Sequence, residues 1–292
     1  MPRNFQELLE ERQSAGKFVC VGLDSKLAEI PDAVYSDSGG DGDRIYRFNK
    51  AIIEATKDLA CCYKLNTAFY EERGATGLYA LQRTVLDIQQ SCRAPVIIDG
   101  KRADIGSTNS GYAAYLFHHL GADAITVHPY LGEEALRPFL DLKDKGIFVL
   151  ARTSNHGAGE FQDLEVRERN HLSHLHPEDD RWEPLYLKVA RNVATRWNAH
   201  GNCGLVAGAT YPAEAAAIRQ IVGEMPLLLP GFGAQGGKIE EVIPLAKNSR
   251  NQGVIVNSSR GIIFASRDKD FAEAARRETE RLSKEVLDAL AS

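Results

Sequence analysis

Residues 95–101 read Pro-Val-Ile-Ile-Asp-Gly-Lys, a short apolar run that ends in charged residues. Seven similar runs, rich in Val, Ile and Leu, recur along the chain at Phe18–Asp24, Cys61–Asn66, Ala124–His128, Ile147–Thr153, Gly204–Ala209, Pro226–Gly231 and Gly253–Ser258. Because they are almost continuously apolar rather than alternating, these runs are typical of parallel strands buried on both faces. The sequence therefore predicts eight parallel strands.

Segments with helical periodicity separate these runs. Apolar residues recur at three- and four-residue spacing in sets such as Ile45, Phe48, Ile52, Ala55 and Leu59; Leu78, Leu81, Val85 and Ile88; and Phe271, Ala275, Leu282 and Val286. Eight alternations of strand and helix predict an α/β fold, a (β/α)8 TIM barrel, rather than a doubly wound sheet. The 292 residues contain no visible linker. We therefore expect one domain over residues 1–292, with an insertion around 155–200 after the fifth strand.

Composition narrows the classes of function. Hydrophobic residues make up 43% and charged residues 26%, as in ordinary globular proteins, and the net charge of −5 without a long basic run argues against nucleic acid as a partner. The chain shows no signal peptide and no apolar run long enough to span a membrane. The cysteines are odd in number and form no CxxC motif, which favours reduced thiols and a cytoplasmic protein.

The charged first part of the insertion contains three histidines, His171, His174 and His176. A metal site is one interpretation of such a cluster. The flanking residues are polar and no cysteine is near, which favours a solvated insertion instead. We therefore expect no metal site in this chain.

Charged residues interrupt or end several of the apolar runs. Lys64 lies within one run, while Asp99 and Lys101 follow Val96-Ile-Ile on the next and, two residues apart, share a strand face. Charges in such positions are costly unless they are paired. Two lysines and two aspartates could thus form an alternating row of charge at the carboxyl ends of the strands, where barrel enzymes place their chemistry. A purely structural ion-pair network is the alternative, but the position at the barrel mouth favours a functional site.

A glycine-rich segment follows the seventh strand. Gly231, Gly233 and Gly236 match GxGxxG, a pattern that can also indicate a dinucleotide fold. That interpretation expects the motif after the first strand and an acidic residue at the end of the next one, which here ends at Asn257. The position instead favours the phosphate site that barrels build after strands seven and eight, with Arg260 as a further donor. The residues alone thus predict a barrel enzyme for a phosphorylated small molecule, with no cofactor demanded.

The segment Asp99-x-Lys101-x-x-Asp104-Ile-Gly-Ser-Thr108 resembles the signature of the orotidine 5'-phosphate decarboxylase family, and Tyr-Lys64-Leu-Asn resembles the stretch around that family's other catalytic lysine. The longer chain is similar to the second bacterial type. Magnesium-dependent aldolase-like synthases and keto-gulonate-phosphate decarboxylases share the DxKxxD motif, but they typically carry Glu in place of Lys64. Lys64 therefore favours the orotidylate interpretation.

The resemblance implies decarboxylation of orotidine 5'-phosphate to UMP and CO2 (EC 4.1.1.23), the last step of UMP biosynthesis, without a cofactor. It implies that Lys101 protonates C6 of the pyrimidine, and that Lys64 and Asp99 orient the charged row. Asp99 would lie beside the substrate carboxylate, while Lys64 and Asp24 would reach the ribose.

The remaining implied roles concern substrate binding and the partner subunit of a homodimer. Asp104 and Thr108 would enter the site from the partner, although Thr108 precedes a helical pattern and could equally be an N-cap. The substrate would further be contacted by Ser154 at the pyrimidine and by Gln235, Ser259 and Arg260 at the phosphate.

Two rival hypotheses remain open beside this one. The first is a magnesium-dependent sugar-phosphate lyase or aldolase of the same superfamily. The second is a non-enzymatic nucleotide-binding protein on a barrel that has lost its activity, which the complete set of charged residues argues against.

Overall fold

The computed structural model describes residues 3–35, 39–168, 181–232 and 236–292. In chain order its strands are β1 (Val19–Gly22), β2 (Cys62–Asn66), β3 (Val96–Arg102), β4 (Ala124–Val127), β5 (Gly146–Arg152), β6 (Glu165–Glu168), β7 (Arg181–Pro184), β8 (Cys203–Ala207), β9 (Leu227–Pro230) and β10 (Val254–Ser258). All but β6 and β7 are parallel and close into a barrel in sequence order. The predicted (β/α)8 barrel is confirmed, and each barrel strand begins and ends within two residues of its predicted run.

Helices surround this barrel. They are α1 (Phe5–Ser14), α2 (Asp41–Thr56), α3 (Ala68–Glu71), α4 (Gly74–Ser91), α5 (Gly106–Ala113), α6 (Gly132–Leu140), α7 (Gly159–Gln162), α8 (Leu185–Asn192), α9 (Pro212–Val222), α10 (Ile239–Ala246), α11 (Arg260–Ile263) and α12 (Phe271–Ala291). Helices α5 and α8 continue into π-helical turns, at Ala114–His119 and Val193–Trp197. The three predicted periodic segments lie in α2, α4 and α12, except that Leu59 follows the end of α2 at Thr56.

The core has two parts. The larger lies between the strands and the helices, and a smaller apolar cluster fills the barrel interior. Helix α1 closes the amino-terminal end of the barrel, where the Phe5 ring packs edge-on against Phe148 with ring centroids 5.5 Å apart. Gly146 permits this contact, because a Cβ atom there would lie 2.4 Å from the Phe5 ring. With this end filled by apolar side chains, the opposite end is left to hold the polar residues.

The segment between β5 and β8 contains α7, the antiparallel hairpin of β6 and β7, and α8. His171, His174 and His176 of the insertion lie outside the described residues. Among the described residues, no group of three or more His, Cys, Asp or Glu side chains is arranged to hold a metal ion. No helix in the described part of the chain is long and apolar enough to cross a membrane.

Candidate active site

A cavity of about 440 Å³ opens at the carboxyl ends of the barrel strands. Every barrel strand, or the loop directly after it, contributes a side chain to its lining, in chain order Asp24, Lys64, Asp99, Thr126, Leu150, Val206, Leu228 and Asn257. Parallel strands point their carboxyl ends toward the same side, which is why residues so distant in sequence meet here. The leucines and Val206 make one wall of the cavity apolar, while the side chains from the first four strands are polar.

Four of the predicted site residues, two lysines and two aspartates, form one contiguous network in this cavity. The Asp99 carboxylate accepts from Lys64 Nζ at 2.9 Å through Oδ2 and from Lys101 Nζ at 2.6 Å through Oδ1. Lys64 is 4% exposed and also lies 3.6 Å from the carboxylate of Asp24. The alternating row expected at the barrel mouth is therefore present within one chain, with Asp24 as its second carboxylate.

Burial and charge act in opposite directions on the pKa values of this network. Burial would raise the pKa of Asp99, but the ammonium groups of Lys64 and Lys101 outweigh it and hold that pKa well below its usual value. Burial would lower the pKa of Lys64, but the carboxylates of Asp24 and Asp99 raise it well above its usual value. Both side chains are thus held in their charged forms, as a buried ion pair requires.

A bulge in β3 determines the backbone conformation of Lys101. The pairing register between β3 and β4 shifts between Ile98 and Arg102, and Lys101 adopts φ +44°, in the left-handed region. Its backbone N–H donates to the Thr126 hydroxyl at 3.0 Å, and that hydroxyl donates to Asp99 Oδ1 at 2.8 Å. Thr126 was not among the predicted site residues, although a polar residue inside the apolar run Ala124–His128 was a usable signal.

The end of the cavity near β9 and β10 contains the predicted anion-binding elements. Ser259 packs against Gly22, where a Cβ atom would lie 1.9 Å from its hydroxyl, and Arg260 begins α11 at the cavity wall. The glycine-rich turn follows β9, with left-handed backbone at Gly231 and Gly236. Gln235 and Gly233 lie outside the described residues, so their predicted roles stay predictions.

The segment after β5 also contributes to the wall. Ser154 and Gln162 of α7 both line the cavity, and the predicted contact of Ser154 with the pyrimidine stays a prediction. Gln162 accepts from the Thr153 backbone N–H at 2.9 Å and donates to the Thr153 hydroxyl at 3.0 Å. The insertion had no predicted role, because nothing in its local sequence indicates that Gln162 reaches the cavity wall.

Asp104 lies away from the charged network of its own chain. Its carboxylate accepts from the backbone N–H of Ile105 at 2.6 Å, and no ion pair within the described ranges joins it to Lys64 or Lys101. Thr108 lies inside the first turn of α5, whose N-cap is Ile105, so the N-cap interpretation of Thr108 is wrong. The interpretation of both residues as contributors to a partner's site stays a prediction.

Comparison with known proteins places the chain in a family. Residues 17–277 match the model of the orotidine 5'-phosphate decarboxylase / HUMPS family. The chain is 48% identical to an orotidine 5'-phosphate decarboxylase from Herpetosiphon aurantiacus over 259 residues, 89% of this chain and 88% of that protein. A solved structure of Leishmania donovani OMP decarboxylase aligns with a TM-score of 0.80 and 32% identity over 99% of each chain.

The structure of Leishmania donovani UMP synthase aligns similarly, with a TM-score of 0.81 and 34% identity. It covers 99% of this chain, which spans only 57% of that longer one. The family match over most of the sequence agrees with the lysine and aspartate network found in the cavity. The chain therefore belongs to the orotidine 5'-phosphate decarboxylase family.

Proposed function

We propose that this chain decarboxylates orotidine 5'-phosphate to UMP and CO2, the last step of UMP biosynthesis (EC 4.1.1.23). The observation that carries the proposal is the contact of the buried Asp99 carboxylate with both Lys64 and Lys101 at the barrel mouth. A lysine at position 64 favours this reaction over the magnesium-dependent chemistry of the related lyases. Family membership supports the same substrate.

In the proposed reaction the bond between C6 and the carboxylate breaks, CO2 leaves, and the electron pair stays on C6. Lys101 then donates a proton to C6 and is left as a neutral amine, which solvent reprotonates. Because the negative charge on C6 develops only in the transition state, an ammonium held there stabilises the transition state more than the substrate. Asp99 lies beside the substrate carboxylate and keeps the lysines in place, while Asp24 and Lys64 reach the ribose.

The phosphate is bound at the far end of the cavity in this proposal. Arg260 supplies a bidentate donor, Ser259 a backbone N–H, and Gln235 a side-chain contact from the glycine-rich turn. Ser154 faces the pyrimidine. Since the phosphate does not react, its binding energy is available to hold the reacting end of the substrate against Lys101.

We further propose a homodimer in which Asp104 and Thr108 complete the partner's site. An apolar patch beside these residues supports it: Ile105 is 59% exposed and Tyr130 91%, with Leu131 next to it. The start of α5 and the start of α6 pack together, because Asn109 donates to the backbone carbonyl of Ala135. Exposed apolar surface of this kind is typical of a contact with another protein.

Two further proposals concern the chain as a whole. We infer that residues 1–292 form one domain, which is supported by helices α1 and α12 packing against the same barrel. We infer a cytoplasmic location, which is supported by five cysteines that all remain unpaired.

The test of the function is a spectrophotometric decarboxylation assay with orotidine 5'-phosphate, run with and without a chelator. We expect turnover that the chelator leaves unchanged. Absence of turnover by pure, folded protein would rule out the proposed reaction, and loss of turnover on chelation would favour a magnesium-dependent lyase.

A further inference from the structure

Thr126 is a buried polar residue in the middle of the apolar strand β4. It is 1% exposed, and it lines the cavity between the apolar wall and the charged network. A buried hydroxyl without hydrogen-bond partners destabilises a protein, so the identity of its partners decides what this residue does.

The two partners determine the direction of both hydrogen bonds. The backbone N–H of Lys101 can only donate, so the hydroxyl oxygen of Thr126 accepts at 3.0 Å. The ionised carboxylate of Asp99 can only accept, so the same hydroxyl donates at 2.8 Å. Since neither bond can reverse, the Thr126 hydroxyl links the two residues in one defined geometry.

The backbone at Lys101 needs this support. The β3 bulge takes Lys101 out of the regular pairing with β4, and the left-handed φ of +44° is unfavourable for a residue with a side chain. Thr126 supplies from its side chain the acceptor for this backbone N–H. Without it, a buried donor would lack a partner and the bulge would be less stable.

The Asp99 carboxylate also depends on Thr126 for its orientation. Lys64 holds one of its oxygens, while Lys101 and Thr126 share the other. The Lys101 side chain is 49% exposed, so its ammonium is the less constrained of these donors. Thr126 therefore holds the oxygen that faces Lys101 even when the lysine moves toward a substrate.

We infer that Thr126 is a positioning residue of the reaction, which orients Asp99 and the backbone of Lys101 without itself touching the substrate. The inference rests on the proposed decarboxylation. It predicts that the hydroxyl of Thr126 affects the chemical step much more than substrate binding, because the phosphate contacts lie at the other end of the cavity.

The test compares Thr126→Val, which keeps the shape but removes the hydroxyl, with Thr126→Ser, which retains it. We expect kcat of Thr126→Val to fall about ten- to a hundredfold, the range for a lost hydrogen bond to a charged group, while KM changes less than about threefold. Thr126→Ser should restore kcat to within a few-fold of wild type. Thr126→Ala, which lacks the same hydroxyl, replaces the valine variant if that protein does not fold.

Thr279→Val is the matched control, because Thr279 is also fully buried but donates only to the Ala275 carbonyl within α12. It should lower thermal stability without changing kcat. Wild-type kcat in Thr126→Val, or equal impairment of the serine variant, would overturn the inference.

The proposed function is tested separately by the wild-type enzyme in the same assay. If the wild type is inactive, crystal structures of the wild type and of Thr126→Val test the inference instead. Withdrawal of Lys101 from Asp99 in Thr126→Val would support it, and an unchanged network would contradict it.

Discussion

Asp99 contacts both lysines of the network. Its charge state is one of the two that determine how the stability contribution of this network depends on pH. Its pKa lies below that of the unfolded chain, so its stabilising contribution is present above about pH 4 and is lost as the pH falls toward the folded pKa. The pKa of Lys64 is raised, so its contribution is present below about pH 10 and is lost as the pH rises toward the folded pKa. Between these limits both residues are charged and the network is complete.

Lys101→Ala should leave the fold intact and abolish turnover. The side chain is half exposed, so its removal leaves no large cavity, and Asp99 keeps its contact with Lys64. The reaction, however, loses the proposed proton donor for C6. Thermal unfolding and the decarboxylation assay measure the two effects. The control Lys57→Ala removes another ion-paired lysine, which lies on the surface beside Glu54, and should change neither thermal stability nor turnover. Wild-type kcat in Lys101→Ala would refute the proposed mechanism.

Lys64→Met should destabilise the protein by about 3–5 kcal/mol near pH 7, the usual effect of breaking a buried ion pair. Asp24 and Asp99 then lose a cation, and the pKa of Asp99 rises. The difference from wild type should therefore shrink as the pH falls below about 4, where carboxylates take up protons. Urea unfolding at neutral and acidic pH measures this. A difference that does not depend on pH would show that packing of the Lys64 side chain, rather than its charge, stabilises this region.

At the scale of elements, the segment after β5 is held to the barrel by Arg152. This side chain is 3% exposed and forms a bidentate ion pair with Asp163, at 2.8 and 3.0 Å, directly after α7. Its guanidinium also lies 3.9 Å from the ring centroid of Tyr211. Because Gln162 of α7 lines the cavity, the ion pair that holds α7 against the barrel also holds this part of the cavity wall in place.

Asp163→Asn should raise KM for orotidine 5'-phosphate several-fold while changing kcat less. Loss of the ion pair loosens α7 and the Gln162 contact with Thr153, but it leaves the charged network in place. Steady-state kinetics measure the effect. Glu160→Gln, a neutralised carboxylate on the exposed side of the same helix, is the matched control and should behave like wild type. Equal effects of the two substitutions would exclude the ion pair as the cause.

For the whole molecule, the start of α5 is the region where we propose a contact with a partner subunit. The Asp104 carboxylate accepts a hydrogen bond from the backbone N–H of Ile105, and the apolar side chains of Ile105, Tyr130 and Leu131 are exposed. A twofold contact would cover these side chains on both subunits at once, because such an interface is self-complementary. In the proposed homodimer, Asp104 and Thr108 complete the partner's site.

Mixing two inactive variants tests for a shared site. Asp104→Ala and Lys101→Ala should each abolish turnover alone, whereas dimers reassembled from an equal mixture should recover about a quarter of wild-type activity. The recovery arises because half of the dimers are mixed and each mixed dimer has one site free of both substitutions. Analytical ultracentrifugation checks the assembly. A mixture as inactive as its components, with dimers present, would mean that each site is built from one chain.

The sequence by itself determined the barrel and the centre of the site. Eight apolar runs specify parallel strands, and the charged residues at their carboxyl ends meet at one end of the barrel. Lys64, Asp99 and Lys101 could therefore be grouped from the sequence. These features are local: each depends on the pattern within a single strand and on the geometry that all such barrels share.

Only the tertiary structure decided the remaining features. It revealed the bulge at Lys101, the link through Thr126, the ion pair of Asp24 with Lys64, and Gln162 in the cavity wall. Each depends on the register between two strands or on which part of the barrel a long connection contacts. Such contacts join residues far apart in sequence. Their free energies come from side chains that meet only after folding, so the pattern within one segment does not identify the partners of a residue, even where it marks the residue as unusual.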